Sequence, residues 1–258
     1  MRMDRSKVKR QNAKVKTLVG LGLCLSLCLA AETPSGEWLL NNVDANEYTE
    51  SRVAVAQMVI HLARTTRTVK ARSWVEGADK SFTEFLYPER DKGTKMLKLG
   101  DELWTYTPST DRTIKISGHM LRQSVMGSDL SYEDMMEDHR LTDLYDAVVA
   151  GEDTVLGRHC WVLDLTAKKP DVSYHRRRIW VDKERYVPMR ENRYAKSGRL
   201  LKTTEVKSVT MRQGRWVADR VEFKDALKTG AGTEFVLDSI RYNADIPDYI
   251  FSKAALKK

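Results

Sequence analysis

The chain has 258 residues, with 44 Lys and Arg against 36 Asp and Glu, a net charge of +8. Residues 1–30 hold seven of those bases and one acid, so the remainder carries 37 bases against 35 acids and offers no electrostatic case for nucleic acid as a partner. Beyond residue 30 the single cysteine is Cys160, which excludes an internal disulfide there, and neither a zinc-type Cys/His spacing nor a glycine-rich phosphate loop occurs.

The N-terminus sets Arg2, Arg5, Lys7, Lys9, Arg10, Lys14 and Lys16 ahead of "LVGLGLCLSLCLAA", 14 uncharged residues. That apolar run is too short to cross a bilayer comfortably as a helix. A basic start, a short apolar core and small residues at its end read as a secretory signal over residues 1–31, with cleavage after Ala30 or Ala31. Cys28 is an alternative lipobox cysteine, although Leu27 stands where a small residue is usual. Acylation there would tether the mature chain to a membrane surface. Residues 32–258 contain no Ser/Gly/Pro-rich linker and no repeat, and read as one domain.

Residues 36–46, "GEWLLNNVDAN", suggest a short helix with Trp38, Leu39 and Val43 on one side. "RVAVAQMVIHL" then alternates as a strand, placing Ala56, Met58, Ile60 and Leu62 on one face. Further strands are expected at 68–75, 81–87, 94–99, 103–107 and 113–117, punctuated by Gly77-Ala78-Asp79, Gly100-Asp101 and Pro108-Ser109. After residue 138 the pattern resumes at about 146–155, 159–165, 173–181, 188–194, 200–209, 215–223 and 233–242. "IPDYIFSKAAL" closes the chain as a turn and short helix. About a dozen strands with few helices argue for a mainly β (α+β) fold, a curved antiparallel half-barrel closed by short helices. The basic run Arg176 to Arg178 reads first as a solvated strand face, and second as a contact for anionic lipid.

Between the strand groups lies "HMLRQSVMGSDLSYEDMMED". Met120, Leu121 and Ser124 fall on one helical stripe, and Leu130 to Met136 would start a second helix with Ser128 or Asp129 as its N-cap. Met120, Met126, Met135 and Met136 offer soft, adaptable apolar contacts. A Met-lined lid over a curved sheet suits a ligand of variable shape, such as an acyl chain; a helix that plugs the sheet with no ligand is the plain alternative. On strand alternation, Trp104 and Tyr106 point one way in "LWTYTP", and Trp161, Leu163 and Leu165 share a face in "HCWVLDL". The expected cavity set is therefore Trp104, Tyr106, Met120, Leu121, Met126, Met135, Met136, Trp161 and Leu163. Cys160 alternates with Val162 and reads as a small buried side chain.

Several stretches together resemble the outer membrane lipoprotein-sorting protein family, with its LolA/LolB-like fold. They are "FLYPERDKGTKMLKLGDELWTYTP" (85–108), "SVMGSDLSYEDM" (124–135), "GRHCWVLDLTAKKP" (157–170), "YHRRRIWVDKERYVPMRENRY" (174–194) and "IPDYIF" (246–251). The resemblance implies an incomplete β-barrel with an apolar cavity for lipoprotein acyl chains. It also implies an exported periplasmic or membrane-anchored carrier, with lipid or lipoprotein acyl chains, the membrane surface and envelope proteins as partners. Neither a cofactor nor a metal is expected. A phospholipid hydrolase using Ser124 or Ser128, Asp129, and His119 or His139 is the alternative, although no G-x-S-x-G elbow exists to expose a nucleophile. A purely structural envelope protein is the third reading.

Overall fold

The computed structural model describes residues 33–258; the expected leader, its cleavage site and Cys28 lie outside the described residues. Helix α1, Gly36–Glu47, starts where Ser35 accepts a hydrogen bond from the backbone N–H of Trp38 at 3.1 Å, an N-cap. Leu39, Leu40 and Val43 form its buried stripe, whereas Trp38 is half-exposed and stacks edge-on against Tyr186. Gly36 leaves room for close approach, since a Cβ there would stand 2.2 Å from the Ala147 carbonyl oxygen.

Thirteen strands follow. The first six are β1 (Ser51–His61), β2 (Thr66–Glu76), β3 (Lys80–Tyr87), β4 (Lys95–Leu99), β5 (Glu102–Thr107) and β6 (Arg112–Ile116). The rest are β7 (Tyr145–Val155), β8 (Arg158–Ala167), β9 (Arg176–Asp182), β10 (Pro188–Tyr194), β11 (Leu200–Arg212), β12 (Arg215–Asp225) and β13 (Gly232–Tyr242). All pair in one sheet in the order β6-β5-β4-β3-β2-β1-β13-β12-β11-β10-β9-β8-β7, with every ladder antiparallel. The chain thus makes two meanders joined by the β1–β13 ladder, an open curved sheet of mainly antiparallel β structure, as the sequence suggested.

This order explains the methionine-rich insert. β6 and β7 are consecutive in the chain but are the two opposite edges of the sheet. Residues 117–144 must therefore cross from one edge to the other, and we call them the strap. The strap does not form the two expected helices. It contains three short 3-10 turns, Gly118–Arg122, Val125–Gly127 and Asp134–Met136, and the four-residue helical turn Leu141–Leu144. Met126 at φ 53° and Gly127 at φ 75° are left-handed, which a continuing helix does not permit. Ser128 is accordingly no helix N-cap: its hydroxyl donates to the Val125 carbonyl at 2.7 Å and accepts from the Leu130 N–H at 3.2 Å, bracing a tight loop. The cap-like exchange lies three residues on, where the Ser131 N–H donates to Asp134 Oδ2 at 2.6 Å and the Asp134 N–H returns a bond to Ser131 Oγ at 3.2 Å.

Residues paired across an antiparallel sheet share a face. One row runs Leu163, Ile179, Glu191, Thr204, Phe223, Thr233, Ile60. This face, called the inner face below, carries both the strap and α1. At one end Met58, Ile60, Val69, Phe85, Met96 and Leu103 pack against strap residues Val125 and Leu130. At the other, Leu163, Leu165, Ile179 and Val181 pack against Leu39, Leu40 and Val43 of α1. On the outer face of β3–β5, Phe82, Leu97 and Trp104 are covered by the C-terminal 3-10 turns through Phe251 and Leu256. No helix among the described residues is long and apolar enough to cross a membrane.

Candidate functional site

Alternation along β9 and β10 turns Arg177, Ile179, Glu191 and Arg193 to the inner face, where the strap's acids come down on them. Arg177 is 3% exposed on its side chain. Its guanidinium donates to Glu191 at 3.0 Å, to the Tyr145 hydroxyl at 2.8 Å and to Glu137 of the strap. Arg193 pairs with Asp134 at 3.1 Å, Glu137 at 3.2 Å and Glu191 at 2.9 Å. Asp134 also accepts from the Tyr174 hydroxyl at 2.6 Å and from Lys202 of β11 at 2.5 Å.

Burial opposes the charge on Asp134, but Arg193 and then Lys202 outweigh it and hold its carboxyl at about 2. Glu191 is likewise held below the usual carboxylate range, with Arg193 and Arg177 overcoming its burial. Burial pushes the Tyr145 phenol up to about 12. The solvated-face reading of Arg176 to Arg178 therefore fails at its middle member: Arg176 and Arg178 are exposed, and Arg177 is a buried hub.

Two further anchors fix the strap. Asp129 accepts from the Asp225 N–H at 3.0 Å and the Thr233 hydroxyl at 2.7 Å, tying its start to β12 and β13. Asp138 pairs with Arg52 of β1 at 2.6 Å and with buried Lys98 of β4 at 3.3 Å.

Two cavities open between these anchors and α1. The first, about 300 Å³, is mixed in character: Ile179, Val206, Val221 and Phe223 meet Glu47, Arg52, Glu137, Arg177, Glu191 and Arg193. The second, about 280 Å³, is mixed as well, with Ala54, Val187, Trp216, Phe235, Leu237 and Ile240 beside Asn46, Glu47, Arg52 and Ser73 in its wall. Glu47, Arg52 and Ala218 line both, so the two lobes adjoin.

The expected cavity residues divide between places. Met120, Leu121, Met126, Met135 and Met136 pack, partly buried, against the inner-face cluster of β1–β6. Trp161 and Leu163 pack on the same face but in the cluster beneath α1, and Lys183 Nζ stands 3.7 Å from the centre of the Trp161 ring. Trp104 and Tyr106 are on the outer face, against the C-terminal turns, with Lys253 Nζ 4.0 Å from the Trp104 ring. None of the nine lines the two cavities. What does line them comes mainly from β9 to β13, α1 and the end of the strap, charged residues such as Glu47 and Arg177 beside apolar ones such as Phe223 and Trp216, and no sequence pattern marks these remote segments as sharing one space.

The residues of the hydrolase alternative are not brought together. Ser128 is fully buried with its hydroxyl engaged by backbone, Asp129 is committed to Asp225 and Thr233, and His119 and His139 are exposed without a bond to either. Ser124 accepts from Lys228. Cys160 is buried, as its alternation suggested, and burial followed by the nearby Asp182 pushes its thiol up to about 11.

A family model whose description reads "-like: Uncharacterized protein" matches residues 77–258. No curated protein matches the chain. Among solved structures, a DUF1329 family protein from Desulfovibrio piger is similar, at 26% identity and a TM-score of 0.77, over 86% of this chain and 97% of that one. An outer membrane lipoprotein-sorting protein domain from Vibrio parahaemolyticus is 24% identical, with a TM-score of 0.76 over 86% and 98% of the two chains. A LolA superfamily protein from Nitrosomonas europaea is 22% identical, with a TM-score of 0.73 over 86% of this chain and all of that one.

Proposed function

The chain belongs to the family whose model spans residues 77–258 and has a LolA-like fold, and from that premise we propose that it is an exported carrier of the cell envelope. Its cargo is the acyl part of a lipid or lipoprotein, taken onto the inner face of the sheet in the course of sorting to the outer membrane. The observation that supports this most directly is the two-lobed cavity between strap and α1, whose larger lobe alone is of the size at which small-molecule pockets begin, about 300 Å³. Strap and α1 act as the closure of the half-barrel. The strap's methionines form its yielding part: an unbranched thioether side chain can repack around an entering chain. Membrane surface and envelope proteins are the partners that load and unload it.

The test is to purify the mature protein from an envelope fraction and analyse extracted lipid alongside native mass spectrometry. Roughly stoichiometric acyl lipid, with no release of free fatty acid on incubation, is the expected result. A protein that carries no lipid and does not bind a fluorescent fatty acid refutes the carrier reading; one that liberates fatty acid from phospholipid replaces it with the hydrolase.

A further inference from the structure

The turns at one end of the sheet concentrate positive charge. The strand order sets the turns between β8 and β9, β10 and β11, β12 and β13, and β1 and β2 side by side there. They touch in that sequence. A Cβ on Gly198 would stand 3.3 Å from the Arg176 guanidinium, the Ala226 N–H donates to the Leu201 carbonyl at 2.8 Å, and a Cβ on Gly230 would stand 3.7 Å from the His61 carbonyl oxygen. Arg64, Lys168, Lys169, Arg176, Lys196, Arg199 and Lys224 lie in these turns or at the adjoining strand ends, and all are exposed. Among the described residues none of them has an ion-pair partner, in contrast to Arg52, Arg177, Arg193 and Lys202. The acids close by are Asp143, Asp171 and Asp225, and Asp225 already accepts from the Leu227 N–H at 2.9 Å.

The opposite end differs. Its turns and flanking segments carry exposed Glu50, Asp79, Asp101, Glu184, Asp245 and Asp248 against Lys183 and Arg185, and its exposed strand-end cations, such as Arg212 and Arg241, stand among those acids. The near-neutral total beyond residue 30 thus conceals a separation of charge along the strands.

Apolar side chains also protrude at the basic end. Leu62 is 50% exposed and Leu227 54%, one in each of two touching turns, with exposed Ala63, Ala226 and Ala231 beside them. Cations alone would suit an acidic protein. Cations set around protruding aliphatic side chains suit the head-group layer of a bilayer, where the charges meet phosphate and the leucines reach hydrocarbon. The strap's tight loop is held at this end too: Arg67 donates to the Met126 carbonyl at 3.0 Å and Lys228 to the Ser128 carbonyl at 2.6 Å. We propose that this end is a docking surface for an anionic bilayer, with its cations on the lipid phosphates and Leu62 and Leu227 entering between head groups. The proposal rests on the carrier reading and deepens it by assigning the face at which cargo is exchanged, since a bilayer docked here meets the methionine-bearing loop of the strap.

Co-sedimentation of the mature chain with vesicles tests this. Vesicles of mixed phosphatidylglycerol and phosphatidylcholine should bind it, vesicles of phosphatidylcholine alone should not, and binding should vanish as salt rises from about 0.1 to 1 M and the Debye length falls from about 10 to 3 Å. A Lys or Arg at such a surface contributes on the order of fivefold in affinity, so Lys196→Gln with Arg199→Gln should weaken binding about 25-fold. Adding Lys169→Gln and Lys224→Gln should weaken it further. Arg212→Gln with Arg241→Gln, at the opposite end, should leave it unchanged. Leu62→Ser with Leu227→Ser should cost on the order of tenfold, because each leucine is already half-buried and gains only part of a full side-chain burial.

Equal binding to both kinds of vesicle, or an equal loss in the Arg212 and Arg241 variant, overturns the proposal. So does release of the vesicles by glycerol phosphate at constant ionic strength, which would make this end a site for a single anion. Absence of vesicle binding at low salt overturns it as well and leaves an acidic protein as the partner. Binding of a fluorescent fatty acid, measured on the same samples, separates the two readings: docking lost with fatty-acid binding intact refutes the surface alone, and docking without fatty-acid binding refutes the carrier. Should a variant not fold, the unmodified protein decides, because vesicle binding that ignores salt is incompatible with the proposal.

Discussion

Asp134→Asn removes one charge from the strap and keeps its shape. The side chain is 2% exposed, and its two oxygens meet Arg193 at 3.1 Å, Lys202 at 2.5 Å and the Tyr174 hydroxyl at 2.6 Å. Burial works against its ionisation, yet Arg193 and Lys202 prevail and set it at about 2 instead of the ordinary 3.8. A difference of that size is worth about 2 kcal/mol of folding stability at neutral pH. Asn also leaves Arg193 and Lys202 short of counter-charge, and stripping one member from a buried pair costs about 3–5 kcal/mol. A loss of about 3 kcal/mol corresponds to a fall in Tm on the order of 10 °C for a domain of this size. The sign with pH is fixed by the depressed carboxyl. Its contribution is full above the unfolded value near 3.8 and disappears as pH falls through about 2. Urea melts of both proteins should therefore show a constant gap from neutral pH down to about 5, closing in stronger acid. A gap under about 0.5 kcal/mol at neutral pH, the size of an ordinary surface substitution, would mean that the strap is not held by this network.

Two other outcomes follow from packing. Cys160, its thiol raised to about 11 by burial and then by Asp182, should react with an aromatic disulfide reagent at pH 8 far more slowly in the folded protein than in urea, followed by absorbance; equal rates would contradict its burial. Gly36→Ala places a methyl group 2.2 Å from the Ala147 carbonyl oxygen, and the resulting shift of α1 off β7 should cost about 1–3 kcal/mol in a urea melt; a neutral substitution would show that α1 does not seat there.

The strands were readable because each alternates and ends at a turn residue: β1 shows Ala56, Met58 and Ile60 facing one way, and Gly100 takes the left-handed conformation its turn requires. Period two also paired Trp104 with Tyr106 and Trp161 with Leu163, but it cannot say which face either pair will occupy. That choice depends on what covers each face, and the segments covering them are remote in sequence: strap and α1 on one side, residues 248–257 on the other. The strap's helical periodicity misled because Met126 and Gly127 adopt left-handed backbone, and the sequence marks only the glycine. Arg177 was misplaced by its neighbours. The run of three arginines looks like a solvated patch, although the alternation of Arg177 with Ile179 and Val181 was the available sign that the middle one turns inward.

The single seam between the two meanders bears on how the chain reaches this shape. Within each meander, neighbouring strands are consecutive in the chain, so each new ladder closes only a short loop. In the seam Arg52 pairs with Tyr242 and Ile60 with Thr233, partners some 170 to 190 residues apart. Closing a loop of that length costs about 5 kcal/mol of chain entropy by the logarithmic scaling, against little for a hairpin. Until β13 is available, β1 therefore presents an unpaired edge, and the inner face beneath the strap lacks its central strand. A chain that emerges N-terminus first therefore keeps one edge of its opening strand unpaired until the last strand arrives.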